Sequence, residues 1–170
     1  MRKIILSCGI SLDGYVSRPD GSVDFLFLPP DYSMAPFFST IDTIVCGRKT
    51  LAEAPQRGGG WGMPAYVFSR REPPGERNGV IFTNEAPTAF AARIKQEPGK
   101  HVFHMGGGEL VRSFLEEDAI DELYLGVVPV LLGAGRPLFP AGFPERAFTL
   151  IETKTYSQSL LTLRYERRRS

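Results

Sequence analysis

The chain is poor in the residue types that carry thiol, metal or membrane chemistry. Among 170 residues there are two cysteines, two histidines and one tryptophan. Cys8 and Cys46 each lie inside a short apolar run. They read as small buried hydrophobes in a reducing compartment, which excludes a disulfide scaffold. Neither has a histidine nearby in sequence, so nothing marks an activated thiol. Long apolar runs are also missing: none approaches the ~18 residues of a membrane span. The opening Met1-Arg2-Lys3-Ile4-Ile5-Leu6 has too little apolar length for a secretory leader and reads as a first strand. A cytoplasmic protein is expected. An excess of one charge is lacking as well: 20 basic against 19 acidic residues leave a net charge of +1. Nucleic acid and acidic lipid are therefore not expected partners. The run Arg167-Arg168-Arg169 reads as a solvated strand end.

What is present is the pattern of one α/β domain. A chain of this length buries roughly 70% of its unfolded surface, enough for a core without metal or disulfide. Short β-rich runs alternate with helical patterns, which predicts a largely parallel sheet flanked by helices. The predicted strands are residues 3–8, 43–46, 65–68, 80–82, 101–105 and 122–128. Two more, 148–156 and 159–167, are separated by Ser157-Gln158 and predict an antiparallel hairpin at the end of a mixed sheet. Helices are predicted over 32–41, after Pro29-Pro30, over 87–97, with proline in the first turn, and over 109–117. Leu110, Val111, Phe114 and Leu115 share one face of the last. The Gly/Pro-rich stretches 55–64 and 70–79 read as exposed loops. The apolar stretch 124–132 suits either a buried strand or an interface. There is no internal repeat or low-complexity segment.

The residues able to carry chemistry sit at strand ends. The strongest unit is a strand, Gly106-Gly107-Gly108, an amphipathic helix and a second strand. Glycines at that junction admit a ligand close to the backbone. The helix start offers unpaired N–H groups and the positive end of its dipole, which suits a phosphate. A tight turn without a ligand is the plainer reading. Val111 stands where a Rossmann fingerprint needs its third glycine, so this is not that motif. A second strand runs into Gly47-Arg48-Lys49-Thr50, whose hydroxyl, amides and cations can hold a phosphate. A third ends in Ser69-Arg70-Arg71, which reads either as a clamp that suits the 2′-phosphate of NADPH or as solvated loop charge. Ligands of open α/β sheets sit outside the carboxyl ends of the strands, and a dinucleotide would use all three turns. The first strand leads into Ser11-Leu12-Asp13-Gly14-Tyr15 and then Asp20-Gly21, a long shaped loop. Asp13 is either a catalytic carboxylate or a turn former.

These segments, together with 106–139 carrying Gly-Gly-Gly-Glu-Leu and Val128-Pro129-Val130-Leu131-Leu132-Gly133-Ala134-Gly135-Arg136-Pro137-Leu138-Phe139, resemble the dihydrofolate-reductase-like superfamily. Within it the chain looks most like the reductase domain of bacterial riboflavin biosynthesis and its stand-alone relatives. The resemblance implies an NADPH-dependent reductase of a pterin- or pyrimidine-like small molecule, acting as a homodimer. Its leading substrate would be a phosphoribosylamino-uracil, with Arg136 or Arg18 meeting the phosphate. It assigns the cofactor to Gly47, Arg48 and Thr50 and to Gly106, Gly107 and Gly108, and matches Ser69-Arg70 to the strand end that meets the adenosine ribose phosphate; Ile10, Lys49, Glu109 and Leu110 complete the expected cofactor contacts. Dihydrofolate reductases place an acid sixteen residues before the Gly-Arg glycine, where Asp31 stands here. Asp31 is thus a candidate proton donor, or else a cap or loop carboxylate. The preceding tryptophan of that pattern is missing, and Trp61 lies elsewhere, in a glycine-rich loop that could approach the cofactor. The His-x-Glu and Pro-Cys-x-x-Cys zinc motifs of the deaminase half are absent, and no metal site is expected.

Overall fold

A computed structural model describes residues 1–53 and 62–169. Residues 54–61, which include Trp61 and most of the loop 55–64, lie outside the described residues. The strands are β1 (Ile4–Ile10), β2 (Tyr15–Ser17), β3 (Ile41–Gly47), β4 (Ala65–Phe68), β5 (Gly75–Arg77), β6 (Val80–Thr83), β7 (His101–His104), β8 (Glu122–Val127), β9 (Arg136–Pro137), β10 (Phe148–Thr155) and β11 (Leu161–Arg167). The helices are α1 (Ala35–Ser39), α2 (Arg48–Glu53), α3 (Pro87–Gln96) and α4 (Gly108–Glu116). One nine-stranded sheet runs β10-β11-β8-β1-β7-β3-β4-β6-β5, and β2 pairs with β9 in a small second sheet. The pairs from β8 through β1, β7, β3 and β4 to β6 are parallel; β5, β10 and β11 are antiparallel additions.

The alternation of side chains along each strand builds two cores. Ile4, Leu6, Val45 and Val102 face α3 and α4, against Phe90, Ile94, Val111 and Phe114. Ile5, Ile44, Cys46, Val67 and Phe103 face the other way, where Phe37 of α1 and Leu51 of α2 cover them. Burial pushes both cysteine thiols up to about 12, so they are inert apolar fillers. A third cluster around Phe25, Val128 and Leu160 seals the ends of β8 and β11 with the segment before α1.

The structure corrects several expected bounds. The first helix covers only Ala35–Ser39: Tyr32 is taken by an edge contact with Tyr156, and Ile41 already pairs with His101. Five residues with no buried side chain are held by packing, since so short a helix is marginal by itself. The loop 70–79 contains β5, paired antiparallel with β6 and bearing Arg77 over the Phe82 ring. The stretch 124–132 begins as an interior strand, because β8 is paired on both sides.

Candidate functional site

β3 and β7 are neighbours, but their connections leave in opposite directions. β3 continues through α2 to β4, whereas β7 continues through α4 past β1 to β8. The wedge between diverging connections is where open α/β sheets take ligands. The Gly47 and Gly106–Gly108 turns close the two strands that flank it. They touch across it: a Cβ on Gly107 would stand 2.9 Å from Thr50 Oγ1 and 3.9 Å from the Gly47 nitrogen. A Cβ on Gly47 or Gly106 would meet nothing within 4 Å, so these two backbones border open space.

Gly106 and Gly107 take φ of +100° and +92°, which turn the chain from β7 into α4 and favour glycine. No side chain caps α4. Among the described residues, the amides of Gly107, Gly108, Glu109 and Leu110 have no hydrogen-bond partner, whereas the Gly106 amide donates to His104 Nδ1 at 3.1 Å. Four donors without partners among the described residues, at the positive end of a helix with the Thr50 hydroxyl beside Gly107, make a cradle with the chemistry to accept an anion. Glu109 contributes its amide; its carboxylate is exposed. Ile10, buried at the end of β1, accepts the Val128 amide at 2.9 Å through its carbonyl and lies one strand from β7.

Positive charge gathers beside the cradle. Arg48, Lys49, Arg70 and Arg71 follow the adjacent strands β3 and β4, and none has an ion-pair partner among the described residues. Ser69 is buried, and its Oγ accepts the amides of Arg71 at 3.2 Å and Glu72 at 3.1 Å. It thereby shapes the turn that presents the two arginines, while its own proton stays free to donate. Arg18 and Arg136 are engaged instead: Arg18 Nε lies 2.6 Å from Asp24, and Arg136 Nη1 lies 2.9 Å from Glu53.

Both carboxylates considered for catalysis have other work. Asp31 accepts the Ser157 amide at 2.9 Å and the Ser157 hydroxyl at 2.6 Å, pinning the segment before α1 to the β10–β11 turn. Those bonds lower its pKa, so at neutral pH it is an exposed carboxylate with no proton to give. It also sits at the hairpin, with β11, β8 and β1 between it and β7. Asp13 is likewise exposed. The Ser11 hydroxyl donates to it at 2.6 Å, the Gly133 amide at 2.8 Å and the Leu132 amide at 3.1 Å. The Ser11 bond leads in holding its pKa down at about 2. Asp13 therefore fastens the 11–17 loop to the 128–140 segment, with help from Leu12 N to Val130 O at 2.8 Å and Leu138 N to Gly14 O at 3.0 Å. The resulting strap reaches the cradle, since a Cβ on Gly108 would lie 3.0 Å from Pro140 Cγ. The turn-forming alternative for Asp13 was legible in Asp13-Gly14. Its partners Leu132 and Gly133 were not, being 119 and 120 residues away.

A mostly parallel mixed sheet with an antiparallel C-terminal hairpin is the dihydrofolate-reductase-like architecture. The chain belongs to the RibD C-terminal domain family, whose model matches residues 2–162. It is 37% identical over 169 residues to the uncharacterised Bacillus subtilis protein YwjB, covering 94% of this chain and 95% of that one. A structure provisionally assigned to riboflavin biosynthesis, from Shewanella sp. PV-4, superimposes with a TM-score of 0.84 at 28% identity, over 98% of this chain and 99% of that one. The fold is also shared with a deaminase/5-amino-6-(5-phosphoribosylamino)uracil reductase of Thermotoga maritima, with a TM-score of 0.76 at 13% identity, over 98% of this chain and 56% of that one.

Proposed function

We propose that this protein is an NADPH-dependent reductase that delivers hydride to a small heterocyclic or sugar-linked molecule, working as a cytoplasmic homodimer. The leading substrate is 5-amino-6-(5-phosphoribosylamino)uracil, the compound named for the Thermotoga enzyme. The observation that carries the reading is the set of four amides, Gly107 to Leu110, without partners among the described residues, with Thr50 beside Gly107 and, on the adjacent strands, arginines without ion-pair partners among those residues. Those amides and the Thr50 hydroxyl would hold the pyrophosphate. Arg48, Lys49, Ser69 and Arg70 would meet the adenosine phosphate, and Ile10 would line the cleft next to β7. NADPH, when bound, supplies the hydride; the protein orients the partners and limits water.

The carboxylates bear on the substrate. Reduction of a C=N or C=O bond needs a proton on the heteroatom as well as hydride on carbon. Asp13 and Asp31 are both ionised at neutral pH, so neither carries that proton in the resting protein. This counts against dihydrofolate reduction with Asp31 as the acid.

Titration of NADPH and NADH, followed by nicotinamide fluorescence, tests the proposal. NADPH is expected to bind more tightly. Arg48→Ala or Arg70→Ala should weaken it about tenfold or more, as expected for loss of a charge-assisted bond to phosphate, and leave NADH nearly unchanged. Equal losses for both cofactors would place these arginines elsewhere. Absence of NADPH binding at millimolar concentration would overturn the reductase reading in favour of a domain that keeps the fold without the reaction.

A further inference from the structure

His104 ends β7, two residues before Gly106, and its side chain has no solvent exposure. The ring stands edge-on to Phe114, with centroids 4.7 Å apart and planes at 85°. Burial holds its pKa down at about 3, so the imidazole is neutral. Its Nδ1 accepts the Gly106 amide at 3.1 Å, which places the proton on Nε2. That Nε2–H has no partner among the described residues. A buried donor without an acceptor is unfavourable, and a phenylalanine could stack on Phe114 without it. What histidine supplies, and phenylalanine cannot, is the acceptor for Gly106.

We infer that His104 is the positioning residue of the glycine turn: by drawing the Gly106 amide into the core, it keeps the amides of Gly107 to Leu110 turned outward for an anionic ligand. With φ of +100° and +92°, Gly106 and Gly107 have a wide conformational choice, and one inward hydrogen bond removes much of it. The four donors that follow are then held ready before a ligand arrives, which lowers the ordering cost of binding. The inference rests on the dinucleotide reading for the identity of that ligand. It does not need it for the geometry of the turn.

Two variants of the full-length protein separate positioning from packing. His104→Phe keeps a ring on Phe114 and deletes the acceptor. His104→Asn keeps an acceptor at the δ position and gives up the ring contact. The Phe variant should melt at a higher temperature than the Asn variant, yet bind NADPH about tenfold or more weakly than wild type. The Asn variant should bind within about threefold of wild type despite its lower melting temperature. Affinity that merely follows melting temperature would overturn the inference. Amide hydrogen exchange and imidazole ¹⁵N shifts supply a ligand-free reading. Gly106 should be protected in wild type and unprotected in His104→Phe, with His104 as the Nε2–H tautomer. A protected Gly106 in the Phe variant, or an Nδ1–H tautomer, would sink the role whether or not the Asn variant folds. Wild-type protein that fails to bind NADPH would instead refute the dinucleotide reading, with the exchange result still deciding the turn.

Discussion

At the scale of single residues, Asp13 and Asp31 show how a carboxylate in a suggestive position can serve as a fastener. Each accepts a serine hydroxyl and at least one distant amide, and each is thereby held ionised. Asp31→Asn should accordingly leave turnover at neutral pH within about twofold of wild type while lowering the melting temperature. Abolished turnover would restore the proton-donor role. Asp13 has a pH signature. Its folded pKa of about 2 lies below the ordinary value for an unfolded aspartate. Its stabilising contribution is therefore complete above about pH 4 and is lost as the pH falls towards 2. Urea unfolding of wild type and Asp13→Asn should show a constant gap from neutral pH to about 4 that closes below it. A gap unchanged near pH 2 would mean that the carboxylate charge is not its source.

At the scale of elements, the unit β7–turn–α4–β8 was readable along the chain, because its helical spacing and triple glycine are local signals. Its anchor is Phe114, fully buried and in edge contact with Phe68, Phe90 and His104. Phe114→Ala should cost about 3–5 kcal/mol in urea unfolding, the usual result of removing a buried aromatic that neighbours cannot replace. A loss below about 1 kcal/mol would show that the aromatic cluster repacks around the gap. The elements that escaped notice are β2, β5 and β9, of three, three and two residues. Strands so short have no periodicity. Tyr15–Ser17 becomes a strand only because Arg136-Pro137 lies beside it, held by the Asp13 fastening. Ser69 was expected in the site from its place at a strand end, and its part in shaping the 69–72 turn is visible only in the hydrogen bonds it accepts.

At the scale of the whole molecule, strand order matters most. β7 is inserted between β1 and β3, and this insertion makes the wedge that brings Gly47, Thr50 and Gly107 together. The proposed homodimer belongs at this scale. Support comes from the family resemblance and from apolar side chains left in solvent: Leu131, 72% exposed, and Leu150 and Ile151 on the edge strand β10, each 47% exposed. Light scattering on the eluting protein should give about twice the 18.8 kDa chain mass. The mass of a single chain at micromolar concentration would remove the dimer from the proposal.

Local chemistry was sufficient for the alternating α/β pattern, the C-terminal hairpin and the three strand-end turns, since each depends on residues a few positions apart. The absence of a third Rossmann glycine, at Val111, pointed away from that motif for the same reason. The tertiary structure alone decided which turns meet, which cations lack an ion-pair partner among the described residues and which groups the two aspartates bond. Those outcomes depend on contacts between residues far apart in the chain: Asp13 with Gly133, Asp31 with Ser157, Thr50 with Gly107. No spacing encodes such pairs, because the sheet order that creates them is settled by the packing of both faces at once.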